Sequence, residues 1–317
     1  MKNVLRTTKK ILSDLKFVEI DKSQIDAFAS KITLKDFDSS GINLSKYDWP
    51  KEKLLELTFL FNAINFCFWA GKDEKKWTIE DDNLDGAVAL FRCLENELKM
   101  NPDFLNPDEL SDMSLGRIRN LLKGNITIPL LSERLSNIRE FGKVVEKKYN
   151  NKILNILKES ELDGYKLAEI LVDSFVCFDD VSTVTGNSIA FYKRAQLNSK
   201  MIHDILESFG EPGLKGIEKL TAFADYKIPQ RLRHLGILNY SEILANKIDD
   251  MVLIPEGSKE EVEIRVATVW AVEYIKEALK PRFDFVTASH VDNILWNSSQ
   301  TKIKKEKPYH RTLTTAY

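Results

Sequence analysis

The stretch 221–230, Thr-Ala-Phe-Ala-Asp-Tyr-Lys-Ile-Pro-Gln, holds the side chains best suited to chemistry in this chain. Asp225 lies between Phe223 and Tyr226, just ahead of Pro229. Two ring faces can stack on a flat ligand, and a carboxylate beside them can stabilise positive charge or align a water. Proline biases its preceding residue toward extended backbone, which predicts an extended Ile228 and puts Asp225 at a helix end or turn. The plain alternative is an Asp that caps the next helix, with Phe223 and Tyr226 as core. These residues alone leave both readings open.

Elsewhere, carboxylates, rings and cations gather near predicted loops and helix ends: Asp292, Trp296, Lys193, Arg194 and Arg311. Such a set fits cleavage of the glycosidic bond of a nucleoside-like substrate. A carboxylate stabilises an oxocarbenium-like sugar, aromatic rings hold the leaving base, and Lys193 or Arg311 supplies a charge-assisted donor to a phosphate. A nucleic-acid base glycosylase and a non-catalytic helical interaction scaffold draw on the same residue types. Other chemistries lack their motifs. There is no Gly-x-Gly-x-x-Gly after a strand, no Walker phosphate loop and no Gly-x-Ser-x-Gly elbow. The four histidines assemble no His-Glu-x-x-His zinc site, so neither a metal nor a cofactor is expected.

Composition narrows the partners. Forty-six basic against 48 acidic residues give a net charge of −2, which disfavours a stable nucleic-acid partner, since phosphate neutralisation needs excess Lys and Arg. A single phosphorylated ligand needs only one or two cations. Cys67, Cys93 and Cys177 show no metal spacing and read as reduced thiols. The N-terminus lacks a secretory core, and the most apolar window, 54–70, is too short and polar to span a bilayer. The expectation is a cytoplasmic protein with no membrane contact.

The elements that must position these groups read almost entirely as helices. Amphipathic patterns predict helices over 4–18, 23–32, 83–100, 131–149, 152–158 and 165–175. The segment 51–70 is apolar around most of its circumference, marking a central helix ended by Gly71. Asn62 and Asn65 inside it need partners, either backbone carbonyls or a ligand. Asn106-Pro107 opens a helix running to Lys123, a Ser258 capping box opens one running to Lys280, and a last helix covers 287–296. A polar loop is predicted at 36–49, and a loop at 179–187 precedes a helix over 188–209 whose apolar stripe turns Lys193 outward. Glu273 is a candidate buried carboxylate, and 302–311 is a basic tail. The pattern is all-α in one domain, 1–317, with room for a small β excursion near 72–82.

Together these blocks resemble a known family. Asn65-Phe-Cys-Phe-Trp69, Pro129-Leu with Glu133-Arg134, Ser174-Phe with Asp180-Val181, Phe191-Tyr-Lys-Arg-Ala-Gln196, Phe223-Ala-Asp-Tyr226, His234-Leu-Gly236, Glu261-Val-Glu-Ile-Arg265, Asp292 with Leu295-Trp296, and Pro308 to Tyr317 follow the order seen in the queuosine salvage proteins. The likeness spans about 60–317. It implies an all-helical fold related to DNA glycosylases and hydrolysis of queuosine 5′-monophosphate to queuine and ribose 5-phosphate. By the same likeness Asp225 is the catalytic carboxylate, Phe223 lies against the base, and Lys193 faces the ribose phosphate, against the outward reading of that lysine. Asp292 contacts the base. Asn293 and Asn297 stand where many relatives carry a Tyr and an acid, and both are expected beside the base and its cyclopentenediol amine.

Overall fold

A computed structural model describes residues 1–37, 49–79, 84–300 and 306–317. Most of the predicted 36–49 loop, the tip of the 72–82 excursion and the first part of the basic tail therefore lie outside the described residues. In chain order the elements are α1 (Val4–Leu12), β1 (Val18–Ile20), α2 (Lys22–Ala29), α3 (Lys51–Ala63), β2 (Thr78–Ile79), β3 (Leu84–Asp85) and α4 (Gly86–Met100). There follow α5 (Pro107–Ser111), α6 (Leu115–Leu121), α7 (Leu131–Lys148), α8 (Leu154–Glu159), α9 (Gly164–Ser174), β4 (Val181–Val184) and β5 (Asn187–Ala190). The last are α10 (Lys193–Ser208), α11 (Lys227–His234), β6 (Leu238–Tyr240), α12 (Glu242–Asp249), α13 (Lys259–Leu279) and α14 (Ala288–Ser299).

The fold is mostly helical, as the periodicity predicts, with small antiparallel pairs β1–β6, β2–β3 and β4–β5. Buried apolar side chains form one contiguous core from Val4 to Tyr317. Among the described residues no helix is long and apolar enough to cross a membrane.

Three departures from the predicted helices bear on function. The 179–187 loop is instead part of the β4–β5 hairpin, turned by Thr185 at φ 49° and Gly186 at φ 76°. Both turn residues take the left-handed conformation that a tight two-residue hairpin turn requires. Residues 188–190 consequently belong to a strand, and α10 starts only at Lys193. The helix predicted from Asn106 to Lys123 breaks into α5 and α6, with the Ser114 side chain accepting the Arg117 N–H at 3.1 Å as a fresh N-cap.

The third departure is the end of α3, which stops at Ala63 rather than near Gly71. A buried helix end leaves carbonyls that water cannot reach, so side chains must satisfy them. Two arginines and an asparagine do so. Arg194 donates to the carbonyls of Asn62 and Ala63 at 2.9 and 2.7 Å and to that of Cys177. Asn137 donates to Ala63 O at 2.9 Å. Arg134 donates to the carbonyls of Ile64, Phe66 and Cys67 and stacks over the rings of Phe66 and Phe68. Cations at a helix C-terminus also meet the negative end of its dipole. The guanidinium of Arg134 is fully buried and has no carboxylate partner among the described residues. Burial pushes its pKa down to about 9, still well above neutrality.

Removing Arg134 strands these carbonyls and leaves a void. Arg134→Ala is expected to cost at least ~3 kcal/mol of folding stability, read as the urea midpoint, with Arg134→Lys intermediate. A variant within ~0.5 kcal/mol of wild type contradicts this account of the α3 terminus.

Candidate functional site

A cavity of about 500 Å³ opens beside the end of α3, within the ~300–1,000 Å³ typical of small-molecule sites. Its walls come from the 65–68 segment, the start of α4, the inner face of α10, residues 223–227, α14 and Tyr317. Each wall is set by a local constraint that the sequence dictates.

The wall that carries Asp225 is fixed by a buried ion pair. Arg265 on α13 is 1% exposed and binds both oxygens of Asp180, at 2.8 and 2.6 Å. The same guanidinium donates to the carbonyl of Ala224 at 3.1 Å, and Asp180 accepts the backbone N–H of Lys193 at 3.2 Å. One charge pair thus holds the residue before Asp225 and the first residue of α10 in fixed relation.

Asp225 lies in the turn before α11. Its Oδ1 accepts the N–H groups of Lys227 and Ile228 at 2.7 and 3.0 Å, which is a helix cap by geometry. Its Oδ2 has no hydrogen-bond partner among the described residues, and the residue lines the cavity. Asp225 is thus both a cap, through Oδ1, and part of the cavity wall. Pro229 sits within the first turn of α11 and Ile228 is helical, not extended as the proline rule predicts. At that position proline's missing N–H needs no intrahelical partner, so the helix starts ahead of it at little cost.

Facing Asp225 are Lys193 and Asp292. Lys193 is not turned to solvent as the α10 stripe predicts, because the first turns of α10 are buried nearly all round and its side chain enters the cavity. Burial lowers the pKa of its ammonium, and the charges of Asp225 and Asp292 work against that shift. Asp292 on α14 accepts the Phe223 N–H at 2.8 Å. Burial, reinforced by the charge of Asp225, pushes its carboxyl up to about 7, against the pull of that N–H and of Lys193. Phe223 and Tyr226 are both buried and line the cavity, and Tyr226 packs on Tyr309 with centroids 4.9 Å apart. Asn293 and Trp296 join the lining from α14.

Arg194, Arg311 and Asn297 fall outside the lining. Arg194 is spent on the α3 carbonyls, as described above. Arg311 donates to the carbonyls of Ala70 and Tyr309 at 2.9 and 3.2 Å, fastening residues 309–311 to the chain beyond α3. Neither guanidinium is turned to a ligand, because buried carbonyls already claim their donors. Glu273 pairs with Lys276 on its own helix, away from the cavity.

The lining also includes Lys76 and Lys200, which the pattern did not single out, and Phe66, Phe68 and Lys227, which stand in quoted stretches but were given no role. Lys76 and Lys200 are paired with Asp85 and Asp204, whereas Lys193 and Lys227 make no ion pair among the described residues. Lys227 stands directly after Tyr226, so its nearness to the site was readable from the stretch itself. On α10, ligating atoms of His203, Asp204 and Glu207 lie within 4.8 Å of one another, but Lys200 already pairs with Asp204.

Between its ordinary value of 3.8 and about 7, the Asp292 carboxyl of the folded chain holds a proton that the unfolded chain has lost. Its contribution to stability is therefore full below the ordinary value and falls as pH rises toward 7. In ligand-free protein, Asp292→Asn should gain in Tm relative to wild type between pH 5 and pH 8. An unchanged Tm difference across that range contradicts the buried, protonated carboxyl.

Known proteins bear on this arrangement. The family model for queuosine salvage protein matches residues 45–317. A protein of Sphaerobacter thermophilus named queuosine 5′-phosphate N-glycosylase/hydrolase is 33% identical over 321 residues, covering 99% of this chain and 97% of that one. Proteins with the same name from Mus musculus and Schizosaccharomyces pombe are 30% and 27% identical, covering 84% and 97% of this chain and 82% and 94% of theirs. A family match over residues 45–317 and 33% identity along nearly the whole of both chains show that this chain belongs to the queuosine salvage protein family.

Proposed function

We propose that this protein hydrolyses the N-glycosidic bond of queuosine 5′-monophosphate, releasing queuine and ribose 5-phosphate. The observation that carries the reading is Asp225, held by one oxygen while the other is left to a nucleotide-sized cavity lined by aromatic rings. The relatives' name supports the substrate.

In the reaction, the bond from the anomeric carbon to the base breaks with its electron pair passing to the base, and water supplies the new oxygen and protons. Asp225 stabilises the positive charge that develops on the sugar and aligns the water. Holding Oδ1 on two backbone N–H groups fixes the carboxylate before substrate arrives, so no reorganisation is needed as charge develops. Phe223 lies against the base, and Asp292, Asn293 and Trp296 border it. Lys193 faces the ribose phosphate. A net charge of −2 goes with a small-molecule substrate and no stable nucleic-acid partner, and the free cysteines go with a cytoplasmic setting.

Asp225→Asn retains the cap, since its carboxamide oxygen still accepts the same N–H groups, but removes the charge. Queuine release should fall by at least ~10³-fold, with little change in Tm. A rate near wild type rules out Asp225 as the catalytic carboxylate. Lys193→Ala should lose the preference for the 5′-phosphorylated nucleotide over the free nucleoside in kcat/KM. Equal losses on both substrates would move the phosphate contact away from Lys193, with Lys227 next in line.

A further inference from the structure

Asn65 is 4% exposed and lines the cavity, yet its carboxamide has no hydrogen-bond partner among the described residues. Its neighbour Asn62, equally buried, donates to the Thr58 carbonyl at 3.0 Å and toward Asn198. The amide of Asn65 opens to the cavity rather than being sealed in the core, so its donor and acceptor are available to a ligand there. Asn65 cannot relax onto its own backbone. Arg134 grips the carbonyls on either side of it, at Ile64 and Phe66, and the Cys67 N–H is bonded to the Tyr317 carbonyl at 2.9 Å. The segment is thus braced from behind, and its free amide belongs to the cavity.

Its surroundings indicate which part of a ligand it meets. The rings of Phe223 and Trp296 line the same cavity, so a flat heterocycle held by them shares its enclosure with the Asn65 carboxamide. A carboxamide presents one acceptor and one donor side by side. The oxo group and adjacent ring N–H of a guanine-type base present the complementary pair.

On the strength of the proposed activity, we infer that Asn65 is a specificity residue that reads the oxo and ring N–H edge of the deazaguanine base. It makes no contact with the sugar or phosphate. Asn65→Ala leaves that edge unpaired, and Asn65→Asp sets a carboxylate against the oxo group.

The test measures queuine release from queuosine 5′-monophosphate, together with product inhibition by queuine and by ribose 5-phosphate, for wild type and both variants. Asn65→Ala should raise KM and the queuine inhibition constant by about tenfold or more, with a far smaller change in kcat. Asn65→Asp should be weaker still, while inhibition by ribose 5-phosphate stays at the wild-type value for both. Wild-type constants in Asn65→Ala overturn the inference. So does parallel weakening of queuine and ribose 5-phosphate, which marks a structural role. Failure of the wild-type protein to release queuine overturns the proposed activity first, and the Asn65 assignment with it.

Discussion

A guanidinium sealed from water must find an acceptor for nearly every N–H, and Arg265 meets that demand by binding Asp180 through both carboxylate oxygens and Ala224 through its carbonyl. Burial works against its charge, and Asp180, with Glu261 and Tyr317, together offset that cost and raise its pKa above the usual value. Phe191 and Tyr317 cover the group's faces, with ring centroids 3.9 and 4.5 Å away. Such a pair adds little net stability over an apolar core, but its geometry is directional. Here the direction matters: the acceptors are the residue preceding Asp225 and the carboxylate that also receives the Lys193 N–H. The relative placement of the two reacting walls follows from that one contact set.

The same economy appears at the end of α3. Buried carbonyls need donors, and the donors chosen come from α7 and from the first turn of α10. Satisfying a backbone requirement therefore also docks α10 against α3 and lays residues 65–68 along the cavity. Asp225 follows the same logic on a smaller scale, since one oxygen starts α11 and the other meets the cavity. Groups that fold the chain and groups that face the ligand are thus shared or adjacent, which gives a rigid first layer around the site.

Much of this was legible in the sequence. The helical class followed from apolar periodicity, and the Ser258 cap stands where the pattern places it. Asp225, Phe223, Tyr226, Asp292 and Trp296, all named from the sequence, line one cavity. What escaped the sequence depends on partners far away along the chain. The outward reading of Lys193 rested on an apolar stripe that loses its meaning on a helix buried all round. Arg194 and Arg311 resembled ligand cations because nothing local reveals that the carbonyls of Asn62, Ala63 and Ala70 would claim them. The end of α3 was placed too late because Asn65 to Trp69 is as apolar as a helix, and the donors that let the chain leave it, Arg134, Asn137 and Arg194, lie 70 or more residues away. The β4–β5 hairpin escaped because only Val181-Ser-Thr-Val184 is rich in β-branched residues, while Asn187-Ser-Ile-Ala190 carries only one.

The central claim is that this cavity breaks a glycosidic bond rather than merely holding a nucleotide. Incubating the purified protein with queuosine 5′-monophosphate and quantifying both products by chromatography tests it most directly. The account predicts free queuine and ribose 5-phosphate in equal amounts, accumulating over many turnovers without added metal or cofactor. Recovery of intact nucleotide, even with tight binding, would contradict it.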